Sequence, residues 1–194
     1  MAFDGLVTKA IVSELQQLSG ARMDKIYQPN QDTITLGCYF KGNNYAINIS
    51  THPKNYRINL TTHKKVNPQV APNFCMVLRK HILGLRIKSF STYSLERIIT
   101  IEFEAFNGVA PFFAKKLVIE LMGKHCNVIL LDSNNIIIDS LRHINVENIS
   151  HVVIPHKEYF YPKSNKIDFL ECSSFENFKD LVSDCDFSNI ENHI

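Results

Sequence analysis

Residues 33–50 have the sequence TITLGCYFKGNNYAINIS, in which two apolar stretches flank the turn-forming residues 41–44. Apolar and polar side chains alternate within each stretch, which is the two-residue period of a strand with one buried face. Glycine and asparagine between two such stretches favour a tight hairpin turn. We therefore predict antiparallel strands over residues 33–40 and 45–50, with an antiparallel sheet at the centre of the fold.

Seven further segments outside this hairpin have strand-like patterns. Apolar side chains at helical spacing predict one helix from Asp4 to a stop at Gly20, a second from a cap at Asn73 to Gly84, and a third near the C-terminus. The strands follow one another without the helix that parallel neighbours need between them, so the predicted class is α+β with antiparallel sheet. The seven strand segments are residues 22–28, 56–60, 86–90, 98–103, 116–121, 128–131 and 136–139, and the third helix covers residues 173–185.

The composition is that of a globular protein, with 45% hydrophobic and 21% charged residues in a chain of 194. It excludes disordered and rod-like classes. No apolar stretch approaches the roughly 20 residues that span a bilayer, and the N-terminal apolar stretch carries charges that a signal peptide lacks. The five cysteines form no C-x-x-C pair, which is typical of a reducing compartment. We expect a cytoplasmic protein that does not associate with membranes.

Charge is distributed unevenly along the chain, with a net +6 over residues 1–150 and −4 over residues 151–194. Residues 54–95 contain eight basic side chains and no acidic one. If these side chains share one face, they attract polyanions, because phosphate contacts release condensed counterions. The alternative is an ordinary solvated surface. The eight are Lys54, Arg57, Lys64, Lys65, Arg79, Lys80, Arg86 and Lys88.

The sequence offers little that is typical of a catalytic or metal site. No pair among the eight histidines and five cysteines has zinc-site spacing, and His125 and Cys126 are adjacent, so on a strand they point to opposite faces. There is no G-x-S-x-G motif, Cys75 falls on a predicted buried stripe, and the seven glycines are scattered singly. We expect no metal, no cofactor and no catalytic residue.

The adjacent pair Glu96 and Arg97 is the most suggestive local chemistry. A guanidinium binds phosphate or stacks on a base, and a neighbouring carboxylate accepts hydrogen bonds from base amino groups. Taken alone, such a pair is more often a surface ion pair of small energetic effect.

Seven separated strings, in order, resemble the N-terminal domain of the NFACT family. They begin with FDG (3–5) and extend over nearly the whole chain to about residue 162, which predicts an NFACT N-terminal domain at 1–162 and an acidic, partly helical extension at 163–194 toward missing helix-hairpin-helix and coiled-coil regions. The other six strings are ARMDKIYQP (21–29), STHPKNYRINLT (50–61), PNFCMVLRKHILGLRI (72–87), LERIITIEF (95–103), ELMGKHCNVILLD (120–132) and IIDSLRHI (137–144).

This resemblance implies a non-catalytic translation factor. NFACT proteins bind a large ribosomal subunit that still carries a stalled peptidyl-tRNA, and in bacteria they recruit alanyl-tRNA for untemplated C-terminal alanine tails. The family's acid–arginine pair, which is tied to the tRNA anticodon arm, falls on Glu96 and Arg97. The usual acid is aspartate, so this side chain is one methylene longer at unchanged charge.

Further RNA contacts are predicted from charge and expected exposure at Arg79, Lys80, Lys124 and His125. The implied partners are a tRNA, expected to be alanine tRNA, the large ribosomal subunit, and the remaining domains of the full-length protein. No cofactor is implied.

The resemblance also implies a fold like the N-terminal domain of formamidopyrimidine-DNA glycosylases, with two antiparallel sheets flanked by helices. Those enzymes use an N-terminal proline followed by glutamate, whereas this chain has Ala2 and Phe3, so lyase chemistry is disfavoured. A surface adhesin is another alternative, because bacterial family members have also been called fibronectin-binding proteins.

Overall fold

The computed structural model describes residues 3–106, 108–145 and 151–162. Two α-helices, two short 3₁₀ helices and nine strands make up this part of the chain. The elements are α1 (Gly5–Leu15), a 3₁₀ helix (Gln16–Leu18), β1 (Arg22–Asn30), β2 (Thr33–Phe40), β3 (Asn43–Ser50), β4 (Arg57–Leu60), α2 (Asn73–Ile82), β5 (Arg86–Thr92), β6 (Ile98–Phe106), β7 (Pro111–Glu120), a second 3₁₀ helix (Gly123–His125), β8 (Asn127–Leu131) and β9 (Ile137–Ser140).

All nine strands belong to one antiparallel sheet in the order β4-β3-β2-β1-β5-β6-β7-β8-β9. The predicted α+β class is confirmed, whereas the prediction of two separate sheets is wrong. The sheet has two halves, β1–β4 and β5–β9, which meet between β1 and β5. Backbone hydrogen bonds between residues 20–23 and 84–87 join them, for example from Gly20 N to Ile87 O at 2.7 Å and from Met23 N to Leu85 O at 2.8 Å. We call this narrow connection the joint; its strand register has a single Cα pair, Arg22 with Arg86.

The helix ends follow the sequence in part. The Asp4 side chain caps α1 by accepting from Val7 N at 2.9 Å, as predicted, and Gly20 has the predicted left-handed conformation with φ +89°. However, α1 ends at Leu15 and a 3₁₀ turn replaces its last part. The predicted cap at Asn73 is wrong, because Pro72 occupies the cap position and Asn73 is the first helical residue.

Two hairpin turns are tighter than the sequence suggests. Only Lys41 and Gly42 connect β2 with β3, both with positive φ, which is the two-residue turn that matches strand twist. The connection between the predicted strands at residues 98–103 and 116–121 is also shorter than predicted, since β6 extends to Phe106 and β7 already begins at Pro111. A proline is tolerated as the first residue of a strand, where its missing N–H leaves no gap inside the ladder.

Part of the sheet, in β6, β7 and β8, is buried on both faces. Ile99, Ile101 and Leu117 contribute to a core that also contains residues of β1–β4 and of both helices. On the opposite face, Ile98 and Val118 pack in a smaller core under Val153, Tyr159 and their neighbours. Burial on both faces explains the continuous apolar sequences at residues 117–119 of β7 and 128–131 of β8.

Two expectations lie outside the described residues: the helix at residues 173–185 and the boundary at residue 162. Within the described part of the chain, no helix has both the length and the apolar composition needed to cross a membrane.

Candidate nucleic-acid interface

Glu96 and Arg97 form the end of the turn between β5 and β6. The turn is closed by a hydrogen bond from Glu96 N to Tyr93 O at 3.0 Å, and Ser94 adopts a positive φ of +49°. Both predicted side chains are half-buried. Arg97 Nη1 donates to the Tyr56 hydroxyl at 2.9 Å, so the guanidinium has a defined orientation at the surface.

The N-terminus of α1 supports this turn. A Cβ atom on Gly5 would lie 2.0 Å from the Leu95 carbonyl oxygen, so only glycine permits this close approach of the two backbones. Phe3 packs edge-on against Tyr56, with ring centroids 6.1 Å apart. The FDG string thus contacts both the turn that carries Arg97 and the tyrosine that orients it.

Lys124 and His125 lie at the same end of the sheet. Leu121 N donates to Arg97 O at 2.8 Å, which fixes the end of β7 beside the turn, and the exposed Lys124 and His125 follow in the 3₁₀ helix. Burial raises the pKa of the adjacent Cys126 thiol to about 11, while the nearby charges of Arg142 and Arg97 oppose the shift. The structure therefore brings four of the six predicted residues together.

Arg142 is a further cation at this end, which the sequence analysis did not identify. Its Nη1 donates to Cys126 O at 2.5 Å, and its Nη2 forms an ion pair with Asp32 in the turn between β1 and β2. We call the surface formed by Glu96, Arg97, Lys124, His125 and Arg142 the arginine end. It is held together by contacts between residues that are distant in sequence, such as Arg97 and Tyr56.

A buried carboxylate lies beneath the arginine end. Glu120 is fully buried, and its Oε1 accepts from the Tyr159 hydroxyl at 2.8 Å and lies 2.7 Å from His151 Nε2. Burial and the negative charge of Glu120 raise the pKa of Tyr159, so its hydroxyl stays protonated as a donor. These contacts fasten the segment at residues 151–161 to the end of β7.

Arg79 and Lys80 lie elsewhere, on α2. Arg79 Nε donates to Ile26 O at 2.9 Å, midway along β1, and the guanidinium carbon lies 5.8 Å from the centroid of Tyr27. Lys80 is exposed, four residues before Gly84, whose N–H is bound at the joint. The joint and the arginine end are at opposite ends of β5, roughly 20 Å apart for a seven-residue strand.

The eight basic residues of the sequence run do not share one face. Arg86 donates to Gly20 O at the joint, and Lys88 forms an ion pair with Glu102 at 3.4 Å. Lys54, by contrast, is exposed in the loop that leads to Tyr56. Clustering along the chain therefore did not predict clustering in space, and the arginine end draws its cations from three different segments.

The arginine end can bind anions through guanidinium and ammonium donors, and the adjoining ring of Tyr56 can contact flat groups. None of these contacts needs covalent chemistry. In the described ranges, no group of three or more His, Cys, Asp or Glu side chains is arranged to hold a metal ion. Tyr56 and Arg142 were missed because no local spacing connects them with Arg97; the strings STHPKNYRINLT and IIDSLRHI contain them but assign them no role.

Comparisons with known proteins agree on one family. Residues 4–194 match the NFACT N-terminal and middle domains. The Rqc2 homolog RqcH of Bacillus subtilis is 35% identical over 185 residues, which are 93% of this chain and 32% of that protein. The chain thus spans about a third of the length of the curated relatives it matches.

Two solved structures have the same fold as this chain. The N-terminal domain of the fibronectin-binding protein PavA from Streptococcus pneumoniae superposes with a TM-score of 0.86 at 28% identity, covering 99% of this chain and 73% of that one. The N-terminal part of the fibronectin/fibrinogen-binding protein FBPS from Streptococcus suis gives a TM-score of 0.87 at 28% identity, covering 98% and 72%.

Proposed function

The chain belongs to the NFACT family, and from this membership we propose that it is a non-catalytic RNA-binding domain of a ribosome-associated quality control factor. The full-length protein binds stalled large ribosomal subunits that carry peptidyl-tRNA and recruits a tRNA, expected to be alanine tRNA, for untemplated C-terminal alanine tailing. In this proposal the domain occupies residues 1–162, and residues 163–194 lead toward the remaining domains.

The observation that carries the proposal is the orientation of Arg97 by Tyr56 beside the exposed Lys124 and His125. Glu96 and Arg97 contact the anticodon arm, where the carboxylate accepts from base amino groups and the guanidinium binds phosphate or stacks on a base. Lys124 and His125 add phosphate contacts from the neighbouring turn. Each of these steps is noncovalent, so the domain needs no nucleophile and no cofactor.

Arg79 and Lys80 enter the proposal differently from the other four residues. Because they lie on α2, away from the arginine end, they contact RNA outside the anticodon arm if the domain binds an extended ligand. Arg79 already donates through Nε to Ile26 O, so its phosphate contacts come from its terminal nitrogens.

The direct test is to capture the tagged full-length protein from cells and to sequence the RNA that copurifies. We expect enrichment of alanine tRNA and of large-subunit ribosomal RNA over an untagged control, and a loss of the tRNA in the Arg97→Ala variant. RNA at the level of the untagged control would contradict the proposal.

A second candidate function is surface adhesion, which the names of the fibronectin-binding protein PavA and the fibronectin/fibrinogen-binding protein FBPS favour. Protein on intact cells that binds fibronectin or fibrinogen would support it. The likeness to formamidopyrimidine-DNA glycosylases stays a prediction about the fold, and cleavage of an oxidised-purine duplex would be needed to extend it to activity.

A further inference from the structure

A groove of about 560 Å³ lies on the outer face of β1, β2 and β3. This face is opposite the one that places Ile26 and Leu36 in the core, and it carries Lys25, Tyr27 and Thr35. The extended segment at residues 61–67, which follows β4, forms the opposing wall. Tyr56 precedes β4 and this wall follows it, so the strand separates the groove from the arginine end.

The groove is positively charged. Lys25, Lys64 and Lys65 line it. Asp24 also lines it, but this carboxylate forms an ion pair with Arg22, with Nε and Oδ1 2.7 Å apart. Among the residues that the structure describes, no carboxylate forms an ion pair with any of these three lysines. Their charges are therefore available to an anion that enters the groove.

Contacts with the neighbouring elements shape the groove. A Cβ atom on Gly37 would lie 3.1 Å from the Lys25 Cβ, so the glycine leaves room for the lysine on the neighbouring strand. Arg79 adds a cation beside the ring of Tyr27, a lining residue, and its Nε is fixed on Ile26 O. Lys64 and Lys65 of the basic run thus line the groove, and Arg79 of the same run lies beside one of its lining rings.

Rings and neutral polar groups line the groove together with these cations. The rings belong to Tyr27, Tyr45 and His63, and hydroxyl groups come from Thr61 and Thr62. Single-stranded nucleic acids bind through this combination, because cations contact successive phosphates while bases stack on rings. An acidic peptide offers the same charge but no flat group for each ring, so the lining favours RNA.

We propose that this groove binds the phosphate backbone of single-stranded RNA and is a second RNA-binding surface of the domain. The proposal deepens the proposed function and rests on it for the presence of RNA near the protein. It assigns the groove to single-stranded RNA other than the anticodon arm, which stays at Arg97.

The test measures binding of an oligouridylate of about twelve nucleotides, within the usual site size of about 4–16, to the full-length protein. Lys64→Gln with Lys65→Gln is the groove variant, and Lys88→Gln with Lys157→Gln removes the same charge from exposed sites elsewhere. We expect the groove variant to bind at least tenfold more weakly, with the slope of log affinity against log salt reduced by about 1.4, or roughly 0.7 for each lost contact. The control is expected to change less than twofold.

Equal binding by wild type and groove variant would overturn the inference, as would an equal loss in the control. Displacement of the RNA by polyglutamate of matched charge, at matched concentration, would overturn the assignment to RNA in favour of acidic peptides. The Arg97→Ala variant, measured with tRNA, tests the proposed function separately. If groove-dependent binding persists while Arg97→Ala keeps full tRNA affinity, only the proposed function fails, whereas a wild-type protein that binds neither RNA contradicts both.

Discussion

At the scale of single residues, the position of Arg97 depends on side chains and backbone far from it in sequence. Tyr56 accepts its hydrogen bond, Phe3 packs on Tyr56, and Gly5 allows α1 to touch the turn. A guanidinium that is already oriented loses less conformational entropy on binding than a mobile one. If Arg97 binds RNA as proposed, the supporting residues contribute to affinity without touching the ligand.

Replacing Gly5 with alanine tests this support. Alanine in a helix is normally favoured over glycine by about 1 kcal/mol, but the added Cβ would lie 2.0 Å from Leu95 O. We expect the free energy of unfolding to fall by about 1–3 kcal/mol, as in other overpacked sites, measured by urea denaturation. Ser13→Ala, at an exposed position of α1, is the control; if Gly5→Ala stabilises the chain as much as Ser13→Ala, the close contact is wrong.

His81 gives a prediction about pH. Burial lowers the pKa of His81, and the charges of Lys115 and Lys80 lower it further. The pKa of His81 in the folded state is then below its unfolded value of about 6.5. The contribution of neutral His81 to the free energy of unfolding is therefore complete above that pH and is lost as the pH falls through the folded-state pKa. We expect His81→Asn to reduce the loss of unfolding free energy between neutral and mildly acidic pH, measured by urea denaturation. An unchanged pH profile, matching that of the exposed His63→Asn control, would contradict this assignment.

At the scale of elements, the two halves of the sheet are connected at both ends of the structure. The joint connects them through backbone hydrogen bonds, and Arg142 connects them near the arginine end through its ion pair with Asp32. Because the Arg142 guanidinium also donates to Cys126 O, it ties the β1–β2 turn to the start of β8. The arginine end therefore depends on the correct packing of both halves.

Arg142→Gln is expected to weaken this second connection. The change removes charge-assisted hydrogen bonds and leaves the partly buried Asp32 without its cation, which costs about 1–3 kcal/mol of unfolding free energy. Arg22→Gln, whose ion pair with Asp24 is more exposed, is the matched control and is expected to destabilise the chain less than Arg142→Gln does. Chemical denaturation of both variants measures the difference, and equal losses would mean that Arg142 does not connect the halves.

The elements also show what the sequence could and could not predict. The hairpin at residues 33–50, the cap at Asp4 and the left-handed Gly20 follow from local patterns, and the structure confirms them. The joint could not be predicted, because it pairs segments about 60 residues apart that have no distinguishing pattern. Glu96 and Arg97 could be predicted as a pair because they are adjacent in sequence. Tyr56 could not be predicted as a partner of Arg97, because the two residues are far apart in sequence.

At the scale of the whole molecule, cations are placed at separate surfaces rather than on a single face. The arginine end presents Arg97, Lys124 and Arg142, and the groove presents Lys25, Lys64 and Lys65. The chain's net charge of +2 gives no strong attraction for a polyanion as a whole. The proposed RNA binding therefore relies on local geometry, and we expect it to weaken steeply with added salt, as phosphate contacts do.

The most direct test of the central claim is the affinity of the full-length protein for alanine tRNA, compared among wild type, Arg97→Ala and Arg86→Ala. Both substitutions remove one arginine, but Arg86 lies at the joint, away from the arginine end. We expect Arg97→Ala to weaken binding at least tenfold and Arg86→Ala to change it less than threefold. Equal affinities for the two variants would contradict the central claim.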